Sequence, residues 1–211
     1  MTLRVPDTQL TKPNTVALTA GTELFRVHLS QFAGNSFNPC KGNPTRFAPI
    51  SDEHRACIPS LYAASSLKAA VFETIFHDVD ARDPIKVVPR KNVRRVSQAT
   101  LTTTRELNIV SMRQPDLKAW RIKRNELIGC SPKHYSQTAA WAAAIHDQFS
   151  DADGILWTSN QCDPDTAYLF YGSRVTDTDF NVTQTRDGAT DPTFLIDVET
   201  FGLSAGIDIT I

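Results

Sequence analysis

The sequence predicts an α+β fold, one domain with a central mixed or antiparallel β core flanked by helices. Three observations predict it. The stretch "TELFRVHLS" (22–30) alternates Phe25, Val27 and Leu29 with Arg26 and His28, the period of a half-buried strand. "SQTAAWAAAIHDQF" (136–149) is dense in strong helix formers. Neither a repeat, a low-complexity tract nor a clear linker divides the 211 residues, a length that buries a sizeable core.

Residues 1–20, rich in Thr and Pro, read as a loose lead-in to the strand at 22–30. "FAGNSFNPCKGNP" (32–44) is loop, dense in Gly, Asn and Pro. "TRFAPI" (45–50) and "SLYAA" (60–64) read as short strands, the second feeding a helix from Ser66 to Phe76. Between 85 and 111, "IKVV", "NVRRVSQATLTT" and "ELNIVSM" predict two or three strands. "PDLKAWRIKRNELIG" contains a short helix ending at Gly129, and the long helix 136–149 follows. "DGILWTS" (153–159) and "TAYLFYG" (166–172) are strands; a Thr/Asp-rich loop (176–192), "PTFLIDV" and a final apolar piece close the chain. The division is a lead-in (1–20), a domain (21–175) and an extension (176–211) packed on that domain.

A formal net charge of −1 leaves no global field to draw in nucleic acid or anionic lipid. The densest basic run, "RKNVRR" (90–95), reads as a solvated strand or turn edge. No apolar run approaches a membrane span, and the first fifteen residues lack the apolar core of a secretory signal. Cys40, Cys57, Cys130 and Cys162 are scattered without a CxxC pair, which speaks against a zinc site and a disulfide framework, so reduced thiols and a cytoplasmic location are expected. His134 and His146 lack companions at metal spacing, and GxSxG, Walker and GxGxxG motifs are absent.

Chemistry is expected where polar residues fall in apolar surroundings. Glu73 sits on a stretch that is apolar on most of its circumference, beside Ala69, Ala70, Phe76 and His77. Arg26 lies opposite the aliphatic face of its strand, Arg46 follows the Gly/Asn/Pro loop, Tyr62 lies in the strand before the Glu73 helix, and Ser159 closes an apolar strand. Buried polar groups need partners. Arginine forks suit phosphate, an aromatic ring suits a flat heterocycle, and a carboxylate suits a developing sugar cation. The set fits a nucleotide cleaved at its glycosidic bond. The structural readings of the same residues are an Arg26–Glu73 ion pair, a core Tyr62 whose hydroxyl reaches a backbone carbonyl, Ser159 as a turn cap, and His28 and His77 as satisfied partners or surface residues.

In order and context these residues resemble the RES domain family, named for an arginine, a glutamate and a serine. Here they are Arg26 in "LFRVH", Glu73 in "AVFETIFHDV" and Ser159 in "DGILWTSNQCD". "FNPCKGNPTRFAPI" is similar to the segment holding the family's second arginine, Arg46, and "IPSLYAASSLKAAVFE" to the one holding its tyrosine, Tyr62. "HYSQTAAWAAAIH", "DGILWTS" and "AYLFYG" match the later half, so the likeness runs over residues 22–175. Val27 and Asn160 depart from the aromatic residue that some members carry after the first arginine and the arginine that members often carry after the serine.

The resemblance implies an ADP-ribosyltransferase-like fold and a bacterial toxin that destroys NAD+ by phosphorolysis or hydrolysis of its bond to nicotinamide. It implies Arg26, Glu73 and Ser159 as catalytic residues and Arg46, Tyr62 and His28 as substrate-binding residues, with no metal and no prosthetic group. NAD+ is then substrate and inorganic phosphate a co-substrate. The implied partner is an Xre-type helix-turn-helix antitoxin, with a homo-oligomer left open in the complex, and without membrane or direct nucleic-acid contact. Transfer of ADP-ribose to a macromolecule and a catalytically silent interaction module are the alternatives.

Overall fold

The computed structural model describes residues 4–211. In chain order the strands are β1 (Thr15–Leu18), β2 (Glu23–Leu29), β3 (Ile50–Ser51), β4 (Cys57–Ile58), β5 (Ser60–Ala64), β6 (Lys86–Pro89), β7 (Val96–Thr103), β8 (Leu107–Ser111), β9 (Gly154–Thr158), β10 (Thr166–Tyr171), β11 (Phe180–Asp187) and β12 (Ile207–Thr210). The helices are α1 (Leu67–Phe72), α2 (Arg90–Arg94), α3 (Gln114–Leu117), α4 (Arg124–Leu127), α5 (Tyr135–Gln148) and α6 (Pro192–Leu203). Eight strands form one sheet in the order β1-β8-β9-β10-β5-β2-β7-β11, while β12 pairs with β6 and β3 with β4. Within the large sheet β8 and β9 run parallel and the other neighbours antiparallel, so the expected mixed α+β core is what forms.

One sheet face carries Trp157, Ile155, Leu169 and Tyr62 against Trp141, Ala142 and Ile145 of α5. Farther along, Val27, Ala64 and Val96 pack against Ala69, Ala70 and Val71 of α1 and Phe194 and Val198 of α6. The opposite face carries Leu24, Leu61, Ala63, Ala99, Leu101 and Phe170. Burial of such side chains contributes roughly 1.5–3 kcal/mol each. At the start of β9, a Cβ on Gly154 would lie 2.3 Å from the Leu169 carbonyl oxygen, so the approach to β10 requires glycine there.

Several expectations are corrected. Of the lead-in, residues 1–3 lie outside the described residues, but the rest is not loose: Thr15–Leu18 forms an edge strand on β8, and the Trp120 and Trp141 indoles donate to the carbonyls of Thr11 and Arg4 at 2.8 Å each. The segment 45–50 contributes Ile50 to a strand and is otherwise non-repetitive. Residues 90–94 of the basic run are helical, with Val93 buried. The expected loop 176–192 holds β11, whose β-branched Val182, Thr183 and Thr185 stand largely exposed at the sheet edge, where a polar composition masks a strand. "PTFLIDV" opens α6, capped by Asp191, whose Oδ1 accepts the N–H groups of Thr193 and Phe194.

The thiol expectation also changes. Cys40 and Cys57 form a disulfide, with Cα atoms 6.0 Å apart. The bridge between Asn38 and Ser60 lays the loop holding Cys40 beside the segment holding Cys57, a long-range pairing that cysteine spacing does not reveal. Cys130 and Cys162 are free. No helix among the described residues is long and apolar enough to cross a membrane.

Candidate active site

The predicted helix over 66–76 is shorter than expected. Ser66 caps α1, its hydroxyl accepting the Ala69 N–H at 3.0 Å, and the helix closes at Phe72 with Glu73 as C-cap. Beta-branched Thr74 and Ile75 disfavour continuation, and the N–H groups of Ile75 and Phe76 both turn back to the Val71 carbonyl. Glu73 therefore stands at the negative end of a helix, where an anion gains nothing from the backbone. Its compensation comes from the strand end opposite. Ser159 donates its hydroxyl to Glu73 Oε1 at 2.5 Å, and the Asn160 N–H donates to the same oxygen at 3.0 Å. Oε2 has no hydrogen-bond partner among the described residues.

Ser159 is fully buried and also caps the turn after β9, its Oγ accepting from the N–H groups of Gln161 at 3.2 Å and Cys162 at 2.9 Å. The turn-cap reading of this serine thus holds, and the same hydroxyl also bonds Glu73. Arg124, which the sequence reading passed over, donates to the Ser159 carbonyl at 3.2 Å and fixes the same strand end.

Tyr62 and Arg46 form the second half of the site. The Tyr62 hydroxyl accepts the Phe47 N–H at 3.1 Å and shares a hydrogen bond with Thr45 Oγ1 at 3.0 Å, so it grips the chain on both sides of Arg46. Burial pushes this phenol up to about 12, against the hydrogen bonds from Thr45 and Phe47, which keeps it protonated. Its ring meets Trp157 edge-on, and the Thr138 hydroxyl holds the Arg46 carbonyl. The partner groups are a hydroxyl and an amide, not the backbone carbonyl expected for a core tyrosine.

Arg46 as a residue is 6 % exposed, yet no carboxylate lies within 4.0 Å of its guanidinium among the described residues. Its Nη1 reaches the Cys130 carbonyl at 3.5 Å, and its Cζ stands 5.4 Å from the centre of the Tyr135 ring. A buried guanidinium with donors to spare has the chemistry to take up an anion. Burial raises the Tyr135 phenol, Arg46 opposes that rise, and Glu73 adds to it, so Tyr135 lies within electrostatic reach of both groups. Its hydroxyl meets His77 Nε2 at 3.3 Å. In the sequence Tyr135 belongs only to the family-like stretch "HYSQTAAWAAAIH", just before the helix expected over 136–149, and nothing local marks its contacts.

Arg26 and His28 do not join this group. Phe25 is paired with Ala64, on the Tyr62 side, so Arg26 and His28 turn to the opposite face. There Arg26 Nη1 donates to the carbonyls of Gly34 and Ser36 at 2.7 Å each, and burial lowers its guanidinium to about 10. It ties down the loop that leads to Arg46. The Arg26–Glu73 ion pair is not formed. His28 is buried with Nδ1 at 3.1 Å from the Leu29 carbonyl and Nε2 without a partner, and burial holds its imidazole below its usual range. The expectation of one pocket shared by both arginines and Glu73 is therefore corrected for Arg26: Glu73 bonds Ser159, Arg46 stands over Tyr135 in the segment that Tyr62 holds, and Tyr135 feels the charge of both Arg46 and Glu73. A hollow of about 200 Å³ next to Glu73 is lined by Thr74, Asp78, Asn92 and Arg95, not by these residues.

A family model described as RES domain matches residues 23–193. No curated protein matches the chain at a significant level. Among solved structures, one chain of the Mycobacterium tuberculosis ("M.tuberculosis") MbcT-MbcA toxin-antitoxin complex superposes with a TM-score of 0.62 at 14 % identity, over 87 % of this chain and 92 % of that one. That likeness carries the fold.

Proposed function

This chain belongs to the RES domain family, and from that membership we propose that it is an enzyme that cleaves the nicotinamide–ribose bond of NAD+, passing ADP-ribose to phosphate or water, and that it serves as the toxin of a toxin–antitoxin pair. The observation that carries the reading is Glu73: a carboxylate at a helix C-terminus, held through Oε1 by Ser159 and Asn160, with Oε2 unpartnered. A carboxylate so placed stabilises the positive sugar that forms as nicotinamide departs. Nicotinamide in NAD+ is already a cationic leaving group and takes the bonding electron pair without needing a strong acid, so the task left to the protein is charge stabilisation and positioning.

In this reading Arg46 binds the pyrophosphate, Tyr62 sets the Arg46 backbone, and Ser159 orients Glu73. Arg26 acts through the loop it ties to β2 rather than on the substrate directly, and His28 is a buried neutral imidazole behind that loop. The structural neighbour's complex with an antitoxin supports a protein partner for this chain, for which a helix-turn-helix antitoxin is the fitting class.

The test is direct. Purified protein is incubated with NAD+, with and without inorganic phosphate, and the products are identified by mass. Nicotinamide together with ADP-ribose or its phosphate ester is expected, and the Glu73→Gln variant is expected to be inert. NAD+ left intact by the wild type in both buffers excludes the reading.

A further inference from the structure

Beside Glu73 a second set of groups lines up. Asp78 Oδ1 lies 2.8 Å from His77 Nδ1, and His77 Nε2 lies 3.3 Å from the Tyr135 hydroxyl. An anionic carboxylate accepts only, so an imidazole bonded to Asp78, whose side chain is 98 % exposed, carries its proton on Nδ1 and turns the Nε2 lone pair to the phenol. Three elements meet here: the turn after α1 supplies His77 and Asp78, the start of α5 supplies Tyr135, and the turn after β9 supplies Gln161, whose amide donates to the His77 carbonyl at 3.4 Å. Tyr135 is 6 % exposed and stands under Arg46. The charged groups acting on it are Arg46 from the segment after the Gly/Asn/Pro loop, Glu73 and Asp78, together with the Cys130 thiol.

We infer that Asp78, His77 and Tyr135 form a proton relay that activates water as the acceptor of ADP-ribose. This rests on the NAD+ reading above and adds the choice of acceptor to it. The step balances as follows. Water forms the new C1′–O bond while the C1′–N bond breaks and nicotinamide keeps the electron pair. The water proton passes to the Tyr135 oxygen as the phenol proton passes to His77 Nε2, and the imidazolium is stabilised by the Asp78 carboxylate. Phosphate already carries a negative oxygen and needs no such base, so the relay weighs on hydrolysis more than on phosphorolysis. Tyr135 is the group at the reacting atoms; His77 and Asp78 act through it as positioning residues.

The experiment compares wild type, Tyr135→Phe and His77→Gln as full chains with NAD+ and inorganic phosphate, reading the ratio of ADP-ribose to its phosphate ester. Thermal melting of each variant confirms that it is folded. The ratio is expected to fall tenfold or more in both variants. In phosphate-free buffer both variants are expected to hydrolyse NAD+ at least tenfold more slowly than the wild type. A ratio within twofold of wild type in both variants overturns the relay and leaves NAD+ cleavage standing, since Tyr135 then merely supports Arg46. NAD+ untouched by the wild type in either buffer overturns the reading beneath it and the relay together.

Discussion

Ser159 Oγ and Glu73 Oε1, separated by 86 positions in the chain, lie 2.5 Å apart where the end of a strand meets the end of a helix. The bond is charge-assisted and short, and it leaves the other carboxylate oxygen without a partner among the described residues. Glu73→Gln keeps the shape and removes the charge, so NAD+ turnover is expected to fall by about 10² or more, with melting temperature little changed. Ser159→Ala removes the hydrogen bond to Glu73 and also the cap on the Gln161 and Cys162 N–H groups, so roughly a 10- to 100-fold loss of turnover is expected together with a lowered melting temperature. Steady-state rates of the two variants decide this; a larger loss in Ser159→Ala would move the chemistry from the carboxylate to the hydroxyl.

Tyr62 makes a different prediction, because its hydroxyl serves the backbone around Arg46. Tyr62→Phe preserves the edge contact with Trp157 but leaves the Phe47 N–H without its acceptor. The expected cost is about 1–3 kcal/mol in urea denaturation, accompanied by a raised KM for NAD+ as Arg46 loses its fixed position. A variant as stable as wild type with unaltered KM would show that Thr45 and Phe47 hold Arg46 without help.

The sequence and the structure part company in ways that follow from range. The strand holding Phe25 and Val27 announces itself through alternation, the long Ala-rich helix through propensity, and the strands ending at Thr158 and Tyr171 through short apolar runs, and all are present. Glu73 is legible as a misplaced charge, since a carboxylate among Ala69, Ala70 and Phe76 is conspicuous at short range. What pairs with it is not legible, because Ser159 and Asn160 reach it only through the crossing of β9 and α1. The fate of Arg26 has the same cause. Alternation puts it opposite Val27, correctly, but only the Phe25–Ala64 pairing shows that this is also opposite Tyr62. Tyr135 gives no local sign, as an aromatic at a helix start reads equally as core.

Cys40 and Cys57 were expected to be free. Their bond closes a loop of 17 positions that contains Arg46 and the β3–β4 pairing. A cross-link of that span is worth about 3 kcal/mol in chain entropy. Thiol titration in denaturant is expected to find two reactive groups before reduction, Cys130 and Cys162, and four afterwards, and reduction is expected to lower the urea midpoint. Four titratable thiols in the unreduced protein would remove the cross-link from the account of how Arg46 is held.

His28 yields a pH prediction whose direction is fixed by its surroundings. Burial, the largest influence, and the Arg26 charge both lower its imidazole below the ordinary value of 6.5, against the Leu29 carbonyl, which raises it. The folded state thus binds fewer protons than the unfolded chain just below that value. By linkage, the stability contributed by neutral His28 is fully present above pH 6.5 and is lost as pH falls below it. The depressed carboxyls act elsewhere on the scale. Asp187, held mainly by the Ala189 N–H, and Asp191, held mainly by the Thr193 hydroxyl, both lie below 3.8, so their contribution is lost only at more acid pH. The urea midpoint of the wild type is therefore expected to decline between about pH 7 and 5. His28→Leu removes the titrating group along with the unpartnered Nε2, so its midpoint should stay flat over that interval and equal or exceed the wild type's at pH 5. Parallel declines in the two proteins would mean that the imidazole is not what the acid side of the curve reports.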